Sequence, residues 1–440
     1  MTVPASAATQ TVQQQIDDIT QAVEQLRGLT AKTPISFGFL TRDQLRDKLV
    51  ADFERDWPAE ERNRTQDLMV MLGWLQLGQD LYQIEVDLLT EQVAGFYDPK
   101  DKKLYLITDQ QQLSAADRVA MAHEITHALQ DQYFNLDQPP FTVEHGHQDD
   151  AESAATALVE GDAMRVSNEY GQQYVSLSDL LQSDSGGSSS QLTNAPTYIK
   201  DSLLFPYTQG LRFVNNEVGS SNAVADDLFR NTPDSTEQIM HRSDYPADQP
   251  QEVQIPDLSA ALGQEWVKDE YNVLGEFDVM ELFMPYLGDS SARLAAAGWG
   301  GNLYEYWKRS GGQDKLLVQS YTWDTQKDAV EFAQAFETYI PDRFPGAAAS
   351  EQDGWLRWEA GGYSFGLKLG GSRTDVVQST DATAAAGVIS TLGPGEKITD
   401  GTSTKTSTNW LVIGTVAALF VLAVILIAGM LIMRRHYQNQ

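Results

Sequence analysis

The residues best suited to chemistry sit in one short run, MAHEITHALQDQ, where His123 and His127 lie four positions apart with Glu124 beside the first. On a helix that spacing puts both imidazoles on one face, one turn apart, where together they can hold a tetrahedral metal ion. Glu124 projects next to them. There it can take a proton from a water as that water attacks a carbonyl, because coordination lowers the pKa of water from above ~15 to about 7. In a chain with six histidines, this pattern arises by chance in on the order of one sequence in a hundred or fewer. The competing reading is a surface helix whose histidines are solvated.

A catalytic zinc site needs a third protein ligand, and Glu160 in ATALVEGDA is the leading candidate. Its helical neighbours Thr156, Ala157, Ala163 and Met164 are small or apolar, a costly setting for a carboxylate that is neither paired nor coordinated. The alternative is a carboxylate at a bend near Gly161. Asp149, Asp150 and Glu152 are poorer ligands, since acids in the first turn of a helix already complement its dipole. Asp162 is a candidate to orient a ligand histidine through its outer ring nitrogen. His241, near the end of a short helix, could stabilise an oxyanion as a cation or serve only as a cap. Tyr207 in LLFPYTQG is a second candidate donor, weighed against a packed aromatic. His145 and His147 read as solvated or gating loop residues.

Several elements must position these groups. Residues 8–90 carry apolar residues at helical spacing: Ile16, Val23 and Leu26, then Leu45, Leu49 and Phe53, then Leu68, Met71, Leu75 and Leu77. Gln92 to Tyr97 and Lys103 to Ile107 are β-rich runs around Asp98-Pro99-Lys100-Asp101, which predicts a hairpin. An extended substrate could add a strand to its edge, over the metal. Ser114-Ala115-Ala116-Asp117 is a capping box that starts the metal helix, predicted to run to about Gln132. A second long helix is predicted over roughly Asp150 to Tyr170. Farther on, Leu316 to Trp323 alternates as a strand, Thr325 to Tyr339 as an amphipathic helix, and Trp355 to Val377 as two or three strands.

The balance of 31 basic against 62 acidic residues, a net charge of −31, disfavours nucleic-acid binding. No cysteine is present, so metal ligands must be His, Asp or Glu. Trp410 to Met433 is uncharged and apolar and reads as a transmembrane helix, followed by Arg434, Arg435 and His436. The positive-inside rule then puts the short tail in the cytoplasm and the body outside, bound to the lipid bilayer through one span. The run Pro4-Ala5-Ser6-Ala7-Ala8 is similar to the end of a signal peptide.

HExxH followed on a later helix by Glu-Gly-x-Ala resembles the gluzincin branch of the zincin metallopeptidases. GFYDPKDKKLYL, HEITHALQDQYF, ALVEGDA and STEQIMH are together similar to uncharacterised bacterial predicted metallopeptidases, over about residues 85–250 and more weakly at GWGG, 298–301. The resemblance implies a zinc peptidase with His123, His127 and Glu160 as ligands and Glu124 as base. It departs from other gluzincins in the longer interval between His127 and Glu160.

These readings make the chain α+β: a zincin-like metallopeptidase domain with a helical N-terminal part, a small C-terminal α+β lobe and one C-terminal transmembrane helix. The expected divisions are an N-terminal segment 1–30, the peptidase domain 31–260, the lobe 261–396, a Thr/Ser-rich stalk 397–409, the span 410–433 and a tail 434–440. The expected activity is hydrolysis of peptide or protein substrates with one Zn2+ per chain. The alternatives are a membrane-tethered binding or scaffold protein with a structural metal, and a metallohydrolase acting on another bond.

Overall fold

A computed structural model describes residues 11–108, 112–142, 148–182, 190–219, 221–241 and 243–396. Helix α1, Val12–Arg27, begins at a Thr11/Gln14 capping box and stops at Gly28, whose positive φ a side chain would disfavour. Strand β1, Ser36–Leu40, follows. Then come α2, Arg42–Asp56, α3, Ala59–Leu72, and α4, Leu81–Gln92. The hairpin is β2, Gly95–Asp98, and β3, Lys103–Ile107, paired antiparallel from Gly95 with Leu106 to Asp98 with Lys103. β1 joins β3 in parallel, so the small sheet has the order β1-β3-β2 and β2 is an edge.

Two long helices follow, α5, Ala115–Phe134, and α6, Asp149–Tyr174. At the start of α5 the Ser114 hydroxyl accepts from the Asp117 amide, and the Asp117 carboxylate accepts from the Ser114 amide at 2.9 Å. From Val119 to Asp131 every residue of α5 is buried, so the solvated surface helix is not what forms. Nor does α6 bend at Gly161; it is continuous through it. A π-helical turn, Pro206–Gly210, packs against α6.

The remaining strands are β4, Trp266–Asn272, β5, Trp299–Arg309, β6, Lys315–Trp323, β7, Ser350–Gln352, β8, Trp355–Ala360, β9, Tyr363–Gly370, and β10, Arg373–Ser379. They form one antiparallel sheet in the order β4-β5-β6-β10-β9-β8-β7. The helix Gln326–Arg343 covers one face with Leu317, Tyr321 and Val376. Ala382–Leu392 covers the other with Leu316, Val318 and Val377. Cover on both faces leaves the central strands β6 and β10 buried along most of their length.

The expected architecture needs correction at several points. This sheet is no small separate lobe, because its first face shares one apolar core with α2, α3 and α4. The Arg343 guanidinium donates to the carbonyls of Val70 and Met71, and Tyr339 Oη donates to Leu72, which satisfies the C-terminus of α3 across that junction. Strands β4 and β5 escaped the sequence reading because each is interrupted by a bulge, at Lys268/Glu270 and at Trp299/Gly301. The N-terminal part is not wholly helical, since β1 lies within it, and α3 ends at Gly73, leaving Leu77 outside and 92% exposed. No helix among the described residues is long and apolar enough to cross a membrane, and the transmembrane helix expected at 410–433 falls outside those residues. So do the stalk 397–409, the tail, His145 and His147.

Candidate metal centre

α5 and α6 bring His123, His127 and Glu160 to one point. His123 Nε2 lies 3.1 Å from Glu160 Oε2, His127 Nε2 lies 3.2 Å from the same oxygen, and the two imidazole nitrogens are 3.0 Å apart. Each side chain is essentially without solvent contact, at 0 to 2% exposure. Three lone-pair donors facing one another this closely repel unless a proton or a metal cation lies among them. Zinc bonds of about 2.0–2.2 Å at tetrahedral angles give ligand–ligand edges of roughly 3.3–3.6 Å, within a few tenths of the observed triangle. The residues present therefore fit a metal of the N/O-liganded kind. Three protein ligands with an open fourth position are the pattern of a catalytic rather than a structural site. Asp149, Asp150 and Glu152 stay outside this cluster; Asp150 instead accepts from the amide and hydroxyl of Thr236.

The second layer fixes the ring orientation. Gln130 donates through Nε2 to the Val159 carbonyl at 3.1 Å and to Asp162 Oδ2 at 3.0 Å, so its Oε1, 2.8 Å from His127 Nδ1, must accept. His127 thus carries a proton on Nδ1 and presents Nε2 to the centre. Asp162 acts on the ligand through Gln130 rather than directly. It is held by Arg27 at 2.6 Å and Arg165 at 2.9 Å, and Arg27 also donates to Asp226. Gln130 shares a helical turn with His127, so the i,i+3 spacing could have singled it out. Nothing local marks Arg27.

Two backbone contacts place Glu160 and Glu124. A Cβ on Gly161 would lie 2.3 Å from the Gly210 carbonyl oxygen, and one on Gly210 would lie 2.1 Å from that of Ala157. α6 and the π-helical turn touch backbone to backbone there, the reason for glycine in the VEGDA run. On the other side, Gly95 at the start of β2 lies over Glu124, since a Cβ there would be 3.4 Å from Glu124 Cγ. The hairpin is docked on α5 by Tyr97 Oη donating to Asp131 Oδ2 at 2.7 Å and by Lys102 at 2.9 Å from the same oxygen.

Electrostatics separates the roles. Burial would lower the His127 pKa, but the Glu160 charge and hydrogen bond outweigh it and raise it to about 9. Burial would likewise raise Glu160, yet both histidines bring it down to about 2. Burial takes His123 down to about 4. Without a metal these directions favour an ion pair between a protonated His127 and an ionised Glu160. A cation must displace that proton. Binding near pH 7 is expected to release about one proton, with apparent affinity rising roughly tenfold per pH unit below the His127 value. Calorimetric titrations in buffers of different ionisation enthalpy measure this; zero release would contradict the ligand set.

Glu124 is fully buried, and no side chain among the described residues hydrogen-bonds either carboxylate oxygen. Burial pushes its pKa well above the usual carboxylate range, opposed by the charge of His127 and the backbone amide of Tyr97. Tyr207 is buried, its ring centroid 6.2 Å from that of His123. His241 does not join the trio: it caps the helix Thr236–Met240 and pairs through Nε2 with Glu276 at 2.8 Å.

Residues 264–389 match a family described only as a domain of unknown function (DUF8575). That segment contains all seven strands of the large sheet and none of the four centre residues. No curated protein matches the chain. No solved structure matches it either, so the zincin-like fold expected from the motifs is withdrawn as a description of the architecture.

Proposed function

We propose that the chain is a metal-dependent hydrolase, with zinc at the centre and peptide bonds as its substrate. One observation carries this reading: the buried convergence of His123, His127 and Glu160, with the carboxylate of Glu124, which no side chain among the described residues hydrogen-bonds, next to His123 on α5. A bound divalent zinc would supply an acidified water and a Lewis acid for the scissile carbonyl. Glu124 takes the proton from the attacking water and returns it to the leaving amine. Gln130, Asp162 and Arg27 hold His127 in one tautomer so that its lone pair stays on the centre. Tyr207 lies on the His123 side and is the nearer of the two candidate donors to the developing oxyanion.

The choice of peptide rests on β2. It is an edge strand whose first residue passes Glu124, so an extended chain added antiparallel to it would run past the base. A binding protein with a structural metal is disfavoured by the same site, because three ligands do not close it and a buried carboxylate with no side-chain partner has no structural use.

The test is metal content together with chelation. The isolated protein should carry about one zinc per chain, lose cleavage of an unfolded protein substrate on chelation, and regain it with Zn2+. Glu160→Ala should lose the metal by at least about 10²-fold in affinity, whereas Glu152→Ala retains it. Retention by the first and loss by the second would move the third ligand. A cell-surface location belongs to the same reading and rests on the sequence of 410–433 alone; recovery of the full chain in a soluble fraction would remove it.

A further inference from the structure

The first two turns of the helix Glu276–Leu287 carry three acids, Glu276, Asp278 and Glu281. Two of them are answered. Glu276 pairs with His241 at 2.8 Å, and Asp278 accepts from the Tyr198 hydroxyl at 2.9 Å and the Gly275 amide at 3.0 Å. Glu281 is 1% exposed, and its Oε2 is buried with no hydrogen-bond partner among the described residues. Lying beyond the first turn, it gains little from the helix dipole. The two cations that act on it are engaged elsewhere: Lys200 lies 3.5 Å from Asp201, and Arg293 lies 2.9 Å from Asp289.

The helix Thr197–Phe205 packs against this one. Phe205 meets Phe277 with ring centroids 4.5 Å apart, and Tyr198 stacks on Trp74 at 3.8 Å while it holds Asp278. The same helix brings the charge of Asp201 to bear on Glu281. A buried carboxylate beside two others, without a counter-ion of its own, is stable only with a proton. Burial, then Asp201 and Asp278, push the Glu281 pKa up to about 8. Burial takes Asp278 to about 6, with Asp149 at the start of α6 adding to it and the Tyr198 hydroxyl and Gly275 amide opposing. Other titratable groups face the same junction. Asp150, raised by burial to about 7, accepts from Thr236, Glu237, raised by burial to about 10, faces Glu276, and His241 is raised by its bond to Glu276. Tyr304 and Tyr321, on β5 and β6, are held neutral by burial. The helix Gln326–Arg343 presents Phe332 and Tyr339 to Phe283 rather than a charge.

We propose that the contact between the helices Thr197–Phe205 and Glu276–Leu287 is a pH-sensitive latch, closed while Glu281 holds a proton and released as it ionises against Asp201 and Asp278. The first of these helices runs directly into the π-helical turn Pro206–Gly210, which carries Tyr207 and meets α6 backbone to backbone at Gly161. Release therefore loosens the wall beside the metal centre as the solution turns alkaline, and acid tightens it. The latch rests on the fold and stands whatever the centre hydrolyses. Its sign follows from linkage. Released, Glu281 returns to the ordinary range near 4.3, so the open form loses a proton that the closed form keeps. Opening should grow about tenfold per pH unit from there to about 8 and then level off.

Hydrogen exchange of the full chain, corrected for the intrinsic rate at each pH, reads the opening of residues 197–210. From about pH 5.5 to about pH 7.5 their protection should fall by at least about 10²-fold. In Glu281→Gln, which keeps the shape without the proton, the fall should shrink to less than about tenfold, and protection at the acidic end should match the parent. Asp201→Asn removes one repelling charge from the solvent side and frees Lys200 to answer Glu281, so protection at about pH 8.5 should rise about threefold or more. A flat profile in the parent, a slope kept in Glu281→Gln, or lower protection in Asp201→Asn would each overturn the latch. So would equal protection of 197–210 and β10 at every pH, which would make the release global unfolding.

Discussion

Glu124→Gln should lower hydrolysis by about 10²–10⁴-fold while the protein keeps its zinc, a transition-state loss of about 3 to 5.5 kcal/mol. Glutamine has nearly the same shape but cannot accept the proton of the attacking water. The substitution breaks no side-chain hydrogen bond among the described residues, and the glutamine oxygen can still accept from the Tyr97 amide. It touches neither ligand nitrogen. Retained metal with lost turnover is therefore the signature of a base, and equal turnover in zinc-loaded parent and variant would sink the mechanism.

The same substitution has a stability consequence of known sign. Burial raises the Glu124 pKa in the folded, metal-free chain above its value in the unfolded chain. A carboxyl shifted in that direction costs stability as pH rises from the unfolded value toward the folded one, because the unfolded chain ionises first. Metal-free parent protein should lose more stability across that window than the variant, in which the other buried carboxyls with raised pKa remain. A site that sacrifices stability to hold an unpaired carboxylate is behaving as functional sites do.

What could be read from the sequence follows the range of the interactions involved. The Ser114 capping box, the two histidines and Glu124 lie within fourteen residues and depend on helix geometry alone, so α5 was legible in register and start. Glu160 was legible as an acid on a face too apolar to tolerate one. Its burial was not, nor was the layer that orients His127, because Arg27 and Asp162 are 135 residues apart and meet only when α1 packs on α6. Strand β1 was hidden for a similar reason. Ser36–Leu40 has no clean alternation, and its partner in parallel pairing, β3, lies more than sixty residues on. The bulged strands β4 and β5 gave no unbroken period to detect. The hairpin, by contrast, announced itself through its turn residues, though Gln92 proved to end α4 rather than begin a strand.

Gly161→Ala should damage both the fold and the centre although it adds a single methyl. On helix propensity alone it would stabilise α6 by about 1 kcal/mol, since alanine is the better helix former. The added methyl, however, would stand 2.3 Å from the Gly210 carbonyl oxygen and 2.9 Å from the Leu211 nitrogen. Both are backbone atoms, which cannot swing aside as the end of a side chain can. α6 must move away from the π-helical turn, at a cost of about 3 kcal/mol or more in overpacking. The displaced residue is the neighbour of Glu160, so the ligand triangle opens with it. Ångström-scale errors at a metal ligand weaken binding far more than they weaken the fold. Melting should therefore fall by several degrees and zinc affinity should fall further than in a core variant of equal instability remote from the centre, such as Val376→Ala in the sheet. Should Gly161→Ala and that reference lose zinc in proportion to stability alone, the close approach of α6 and the turn would be packing without a role in the centre.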